Sequence, residues 1–262
     1  MGTRNSSKTR VVPIFDRLFD SDPTGLSWLS GLIQLGSRSS AVSVDLSILR
    51  LIEGHRRTWG VDELALPAPL GLLEHLVQTI TVQQVAANGD SGFVLARRQA
   101  LANRDSDTIK EALGHLRSGK RGRQWFVLEG PSRPDATLES SKSVLVIEGK
   151  RTERGCTSTT KWMSCRSQLV RHMDGALEYF PGKRILGLLL VEGDRGDDPM
   201  TPSAYWGLES ESQCSEETLA ASLPHRTSDQ RAALMVGILG MATWQAVCGR
   251  NGIPWPPYDE TA

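Results

Sequence analysis

Residues 185–191, Ile-Leu-Gly-Leu-Leu-Leu-Val, are apolar on both faces of any extended chain. A strand projects alternate side chains to opposite faces, so such a run is stable only where both faces are covered. That is the setting of a central strand reached by a crossover connection. A second run of the same kind, Val144-Leu145-Val146-Ile147, lies upstream. Between the two, Trp162, Cys165, Leu169, Met173, Ala176 and Phe180 recur at steps of three and four and mark one face of an amphipathic helix that ends before Pro181-Gly182. Strand, helix and strand in this order predict residues 144–150 and 185–191 as parallel neighbours.

The first of these strands ends in charge. Val144, Val146, Glu148 and Lys150 share one face, while Leu145, Ile147 and Gly149 share the other. The segment Asp135-Ala-Thr-Leu-Glu139 also alternates, and the polar residues 140–143 suit a hairpin turn. A turn centred between Ser141 and Lys142 sets Asp135 opposite Glu148, Thr137 opposite Val146, and Glu139 opposite Val144. Ala136 and Leu138 then meet Ile147 and Leu145, and a slip of one residue would destroy both faces. Two carboxylates facing each other at roughly 5 Å repel unless a cation lies between them, which points to Mg²⁺, with Mn²⁺ as a substitute. A lysine one pleat further on suits metal-assisted hydrolysis of a phosphodiester.

Pro134-Asp135 followed by Glu148-Gly149-Lys150 at the end of an apolar strand resembles the PD-(D/E)xK nuclease superfamily, over roughly residues 66–195. The resemblance implies a restriction-endonuclease-like fold, Asp135 and Glu148 as metal ligands, Lys150 as the catalytic lysine, and a nucleic acid as substrate. It also implies an order of helix, three-strand antiparallel meander, crossover helix and parallel fourth strand. Residues 125–130, Trp-Phe-Val-Leu-Glu-Gly, are expected as the first meander strand, and residues 151–160 as a polar loop.

Members of the superfamily often carry a further acid on the helix before the meander. On a helix over residues 106–117, Glu111 lies opposite the stripe of Ile109, Ala112, Leu113 and Leu116 and should face water. On a helix over residues 70–80, Glu74 lies at the margin of the stripe and is the preferred third metal ligand; Glu129 stays open as another. On the crossover helix, Lys161, Gln168 and His172 lie along one flank. Gln168 is taken as a supporting catalytic residue, and His172 as a surface histidine.

The 262-residue chain has a formal net charge of zero, so no global basic signal marks a nucleic-acid coat. Charge is nevertheless segregated: residues 95–125 hold eight Lys or Arg against three acids, residues 142–171 hold seven against two, and residues 192–217 hold eight acids against one arginine. A basic cleft on a neutral protein suits a phosphate backbone. Cys156, Cys165, Cys214 and Cys248 show neither C-x-x-C nor zinc-finger spacing, which suits a reduced, cytoplasmic chain. No apolar segment follows the polar residues 1–10, and residues 232–247 are too short for a membrane span, so no membrane partner is expected. Residues 232–247 read instead as part of a buried C-terminal helix begun near Thr227-Ser228.

The chain thus reads as α/β in three regions. Residues 1–65 form a tail and a small helical region, with helical patterns at 26–35 and 44–53; residues 66–195 form the nuclease-like core; residues 196–262 form a mainly helical extension, with residues 205–208 as a further strand and two helices broken at Pro224. The expected function is Mg²⁺-dependent hydrolysis of DNA in restriction, phage defence or repair, with the outer helices available for DNA contact or homodimer formation. The alternative is a catalytically inactive module of the same fold that binds nucleic acid or a partner protein.

Overall fold

Strand β2 (Ser143–Gly149) is buried along its whole length, as is β3 (Arg184–Val191) beyond its first residue. The two pair in parallel, with Val144 beside Ile185 and Glu148 beside Leu189. Helix α7 (Gln168–Tyr179) makes the crossover between them. These elements belong to a computed structural model that describes residues 7–38, 40, 49–120, 122–151, 157–193, 199–202 and 204–257. Strand β1 (Ala136–Glu139) runs antiparallel to β2 with Ala136 opposite Ile147, Thr137 opposite Val146, Leu138 opposite Leu145 and Glu139 opposite Val144. This is the register that the alternation of apolar residues requires. A fourth strand, β4 (Ile238–Thr243), lies parallel to β3, giving a mixed sheet in the order β1-β2-β3-β4.

The remaining helices are α1 (Val12–Ser21), α2 (Leu29–Gln34), α3 (Leu70–Thr79), α4 (Val82–Ala87), α5 (Gly92–Ala102), α6 (Ser106–Arg117), α8 (Ala204–Gln213), α9 (Glu216–Ser222), α10 (Ser228–Gly237) and α11 (Trp244–Arg250). One face of the sheet, with Leu138, Leu145, Ile147, Leu186 and Leu188, packs against Ile14, Phe15, Leu32, Trp244 and Val247 from α1, α2 and α11. On the other face Val144, Val146 and Ile185 meet Leu169, Met173 and Ala176 of α7, with Leu219 and Leu234 behind them. A separate cluster of Leu72, Leu73, Val77, Leu101, Ala112 and Leu116 joins α3, α5 and α6. Among the described residues no helix is long and apolar enough to cross a membrane.

Five expectations need correction. Residues 125–130 are not a strand: Trp125, Phe126 and Leu128 are buried against the cluster of α3, α5 and α6, so the meander has only two of its three strands. The flank of β1 is taken by residues 51–60, through Leu51 paired with Ser140, Trp59 with Ala136, and a hydrogen bond from Thr137 N to Thr58 O at 3.0 Å. A strand from residues 125–130 has no place to add. The crossover helix starts six residues later than the periodicity suggests, because residues 157–166 fold back on themselves: Thr160 pairs with Met163, and the Gln168 N–H donates to Thr157 O. Trp162 consequently joins the cluster of α3 and α6.

The C-terminal helix is interrupted by β4. Helix α10 begins as expected, with a capping box between Thr227 and Gln230, but it stops at Gly237, and at Gly240 the backbone takes a φ of +81° that suits a bulge and not a helix. Ser37 and Arg38 donate backbone N–H groups to Met241 O and Leu239 O, covering the outer edge of β4. Finally, residues 205–208 lie in helix α8. Of the 44–53 helical pattern, residues 44–48 lie outside the described residues, and residues 49–53 are not helical. Residues 152–156 of the loop, with Cys156, are also outside; Cys165, Cys214 and Cys248 form no disulfide.

Candidate active site

The C-terminal end of β2 delivers two charged groups, Glu148 and Lys150, to the face covered by α7, which adds His172. Glu148, Lys150 and His172 are 3%, 7% and 2% exposed, so none of the three is a solvated surface residue. The Lys150 Nζ donates to Glu148 Oε1 at 2.8 Å and to Gln168 Oε1 at 2.9 Å. The second oxygen of Glu148 lies 3.0 Å from His172 Nε2. A hydrogen bond there needs the proton on Nε2. Gln168 and His172 are four residues apart on α7 and therefore reach the strand end from one face of the helix.

A charged pair is stable in the interior only when each remaining polar atom is met by a partner. Here the carboxylate is held by an ammonium and an imidazole, and the ammonium by a carboxylate and an amide. The backbone is fixed as well. Lys150 N donates to Leu190 O of β3 at 2.7 Å, and the indole Nε1 of Trp244 donates to Lys150 O at 3.1 Å. Gly149 is required by this packing: a Cβ there would lie 2.7 Å from Cζ2 of Trp244 and 3.2 Å from Oδ2 of Asp135.

Asp135 immediately precedes β1, and continuing the register one step puts it level with Glu148. Its carboxylate turns to the backbone, with Oδ2 accepting the Gly149 N–H at 2.7 Å. Glu148 meanwhile points toward α7. The two carboxylates belong to the same end of the same hairpin but are held by different partners.

Glu74, the expected third metal ligand, is paired elsewhere. Glu74 Oε1 accepts from Arg117 Nε of α6 at 2.7 Å, joining two helices of the separate cluster. Among the described residues no group of three or more His, Cys, Asp or Glu side chains is arranged to hold a metal ion. Glu111 is 47% exposed and pairs with Arg97, as its place opposite the apolar stripe requires. Glu129 is a structural carboxylate, 2.9 Å from Nη2 of the fully buried Arg166, which in turn lies 2.9 Å from Asp174. Asp174 also takes His225 at 3.2 Å and Arg226 at 2.7 Å. Burial alone would push the Asp174 carboxyl up; the hydrogen bond from His225 and the charges of Arg166, His225 and Arg226 outweigh it and hold the group at about 2.

Sequence reasoning brought Glu148, Lys150 and Gln168 together and put His172 on the surface. The i, i+4 spacing from Gln168 is the signal that relocates it. Trp244 had no such signal, since its approach to Lys150 depends on β4 and α11 forming where one helix was expected. The basic character of residues 95–171 is also partly consumed in ion pairs, among them Arg98–Asp90 at 2.6 Å, the buried Arg166–Glu129 and the more exposed Arg117–Glu74. No protein-family model, curated protein or solved structure matches this chain.

Proposed function

We propose that the chain is a metal-dependent nuclease of PD-(D/E)xK type, with a restriction-endonuclease-like core, that hydrolyses DNA phosphodiester bonds. The observation that carries this reading is the buried Lys150 ammonium, held between Glu148 and Gln168 at the end of a parallel strand. Open α/β sheets bind ligands at the carboxyl ends of their strands. A lysine kept there at the cost of desolvation is a functional candidate.

The donor set suits the cation such enzymes use. Mg²⁺ takes one or two carboxylates and fills its other positions with water and substrate oxygens, and Asp135 and Glu148 would provide those carboxylates. Lys150 already marks Glu148 as a place that demands positive charge. Bound there, the ion would supply Lewis-acid stabilisation of the phosphorane-like transition state and an activated water.

The chain's own residues do the rest. Lys150, pinned through its carbonyl by Trp244, would place its positive charge beside the phosphate oxygens and the attacking water. Gln168 fixes the direction of that ammonium, and His172 keeps the Glu148 carboxylate from rotating. A melting experiment tests the metal site. Saturating Mn²⁺ is expected to raise the melting temperature of the native chain and to leave that of Asp135→Asn or Glu148→Gln unmoved, since only binding to the folded state stabilises it. An unmoved native melting temperature would remove the site.

A second reading is favoured by two observations: both Glu148 oxygens are engaged within the protein, and no three-ligand group is present among the described residues. In that reading the core binds nucleic acid without cutting it.

A further inference from the structure

A pocket of about 590 Å³ opens beside this cluster, between the 128–130 segment, the folded-back residues 159–162 and the first turn of α7. Its polar lining is Thr159, Thr160, Lys161, Glu129 and Arg171, and Trp162 forms part of its wall. Lys161 is exposed, and Arg171 reaches the pocket with its Nη2 donating to Gly130 O at 3.0 Å. Among the described residues Glu129 is the one carboxylate of the lining, and its charge is committed to buried Arg166 at 2.9 Å and to Arg171 at 3.3 Å. Asp90, whose carboxylate Lys161 helps to stabilise, is itself paired with Arg98 at 2.6 Å. The cavity is left lined by the cationic Lys161 and Arg171 and by Thr159 and Thr160. Arg98 lies over the Trp162 ring at 5.0 Å and holds the indole in place.

Arg171 is three residues from Gln168, less than one turn of α7, so the pocket flanks the Lys150 cluster on the same stretch of helix. We propose that the pocket is a second phosphate subsite, which takes a backbone phosphate neighbouring the scissile one, through Lys161, Arg171 and Thr159, with Trp162 as the wall against the adjoining sugar. The proposal rests on the nuclease reading and adds to it how the strand is held. Such a contact positions without reading sequence, because phosphates are the same at every step.

The test is fluorescence anisotropy of labelled single-stranded and duplex oligonucleotides in EDTA, where no metal-dependent cutting occurs, over a series of salt concentrations. Lys161 is exposed, so Lys161→Glu leaves the fold intact, which its melting temperature checks. The variant is expected to lose about tenfold in affinity and about one unit of the slope of log K against log salt. Lys161→Arg is expected to recover both. Native-like binding by Lys161→Glu, with DNA cutting by the native chain intact, would overturn the subsite and leave the nuclease standing. A native chain that neither binds nor cuts nucleic acid would overturn both. In a calorimetric arm, inorganic phosphate that binds the native chain as tightly as the oligonucleotide does would assign the pocket to the free ion and overturn the strand subsite.

Discussion

At the residue scale the site holds one buried ion pair, Lys150 with Glu148, and its energetics are measurable apart from any activity. Removing the ammonium leaves one oxygen of a buried carboxylate without its partner, so Lys150→Met is expected to cost about 1–3 kcal/mol in urea unfolding. Glu148→Gln with Lys150→Met should cost less than the sum of the two single changes, because the pair is the main thing either one breaks. Additive losses would show that the two groups are energetically independent. Gly149 is the second commitment. Gly149→Ala drives a methyl group against a fully buried indole and is expected to destabilise by about 1–3 kcal/mol; an unchanged urea midpoint would mean that Trp244 moves freely. Both residues were legible as part of a Glu-Gly-Lys triplet. The reason for the glycine was not, because Trp244 comes from the far end of the chain.

At the element scale, the hairpin and the crossover could be read from residues because their apolar pattern admits one register and one layer. The outer parts of the sheet could not. Residues 238–243 contain a glycine and an alanine and carry no period-2 pattern strong enough to oppose a helix; they become a strand because β3 offers an open edge. The aromatic residues 125 and 126 look like a strand and are used as filling between helices. Beyond its apolar face, helix α7 is tied to its surroundings by Asp174, which carries the buried Arg166 and Arg226. Asp174→Asn leaves Arg166 with half its countercharge and is expected to cost about 3–5 kcal/mol.

The pH dependence of stability has a definite sign. The folded carboxyl of Asp174 titrates at about 2, below its ordinary 3.8, so its contribution of about 2 kcal/mol is complete above roughly pH 4 and is lost as pH falls toward 2. Urea midpoints between pH 5 and pH 2.5 should therefore fall more steeply for the native chain than for Asp174→Asn. Equal slopes would place the acid sensitivity elsewhere, Asp22 being the next carboxylate held at about 2, chiefly by its hydrogen bond from Thr24.

At the scale of the whole molecule, a neutral chain has basic stretches at residues 95–125 and 142–171 and an acidic one at 192–217, and the fold draws several of the basic residues into ion pairs. What remains near the strand end is a buried lysine, two carboxylates on one hairpin and a cationic pocket beside them. The proposed metal-dependent cleavage of DNA would use all three together. The decisive measurement is cleavage of supercoiled, linear and single-stranded DNA by the native chain in EDTA, Mg²⁺ and Mn²⁺, beside Lys150→Met and Asp135→Asn. The account predicts cutting only with metal and a loss of at least about 100-fold in each variant. Intact DNA in every condition, from a native chain that still binds it, would contradict the nuclease and leave the binding module.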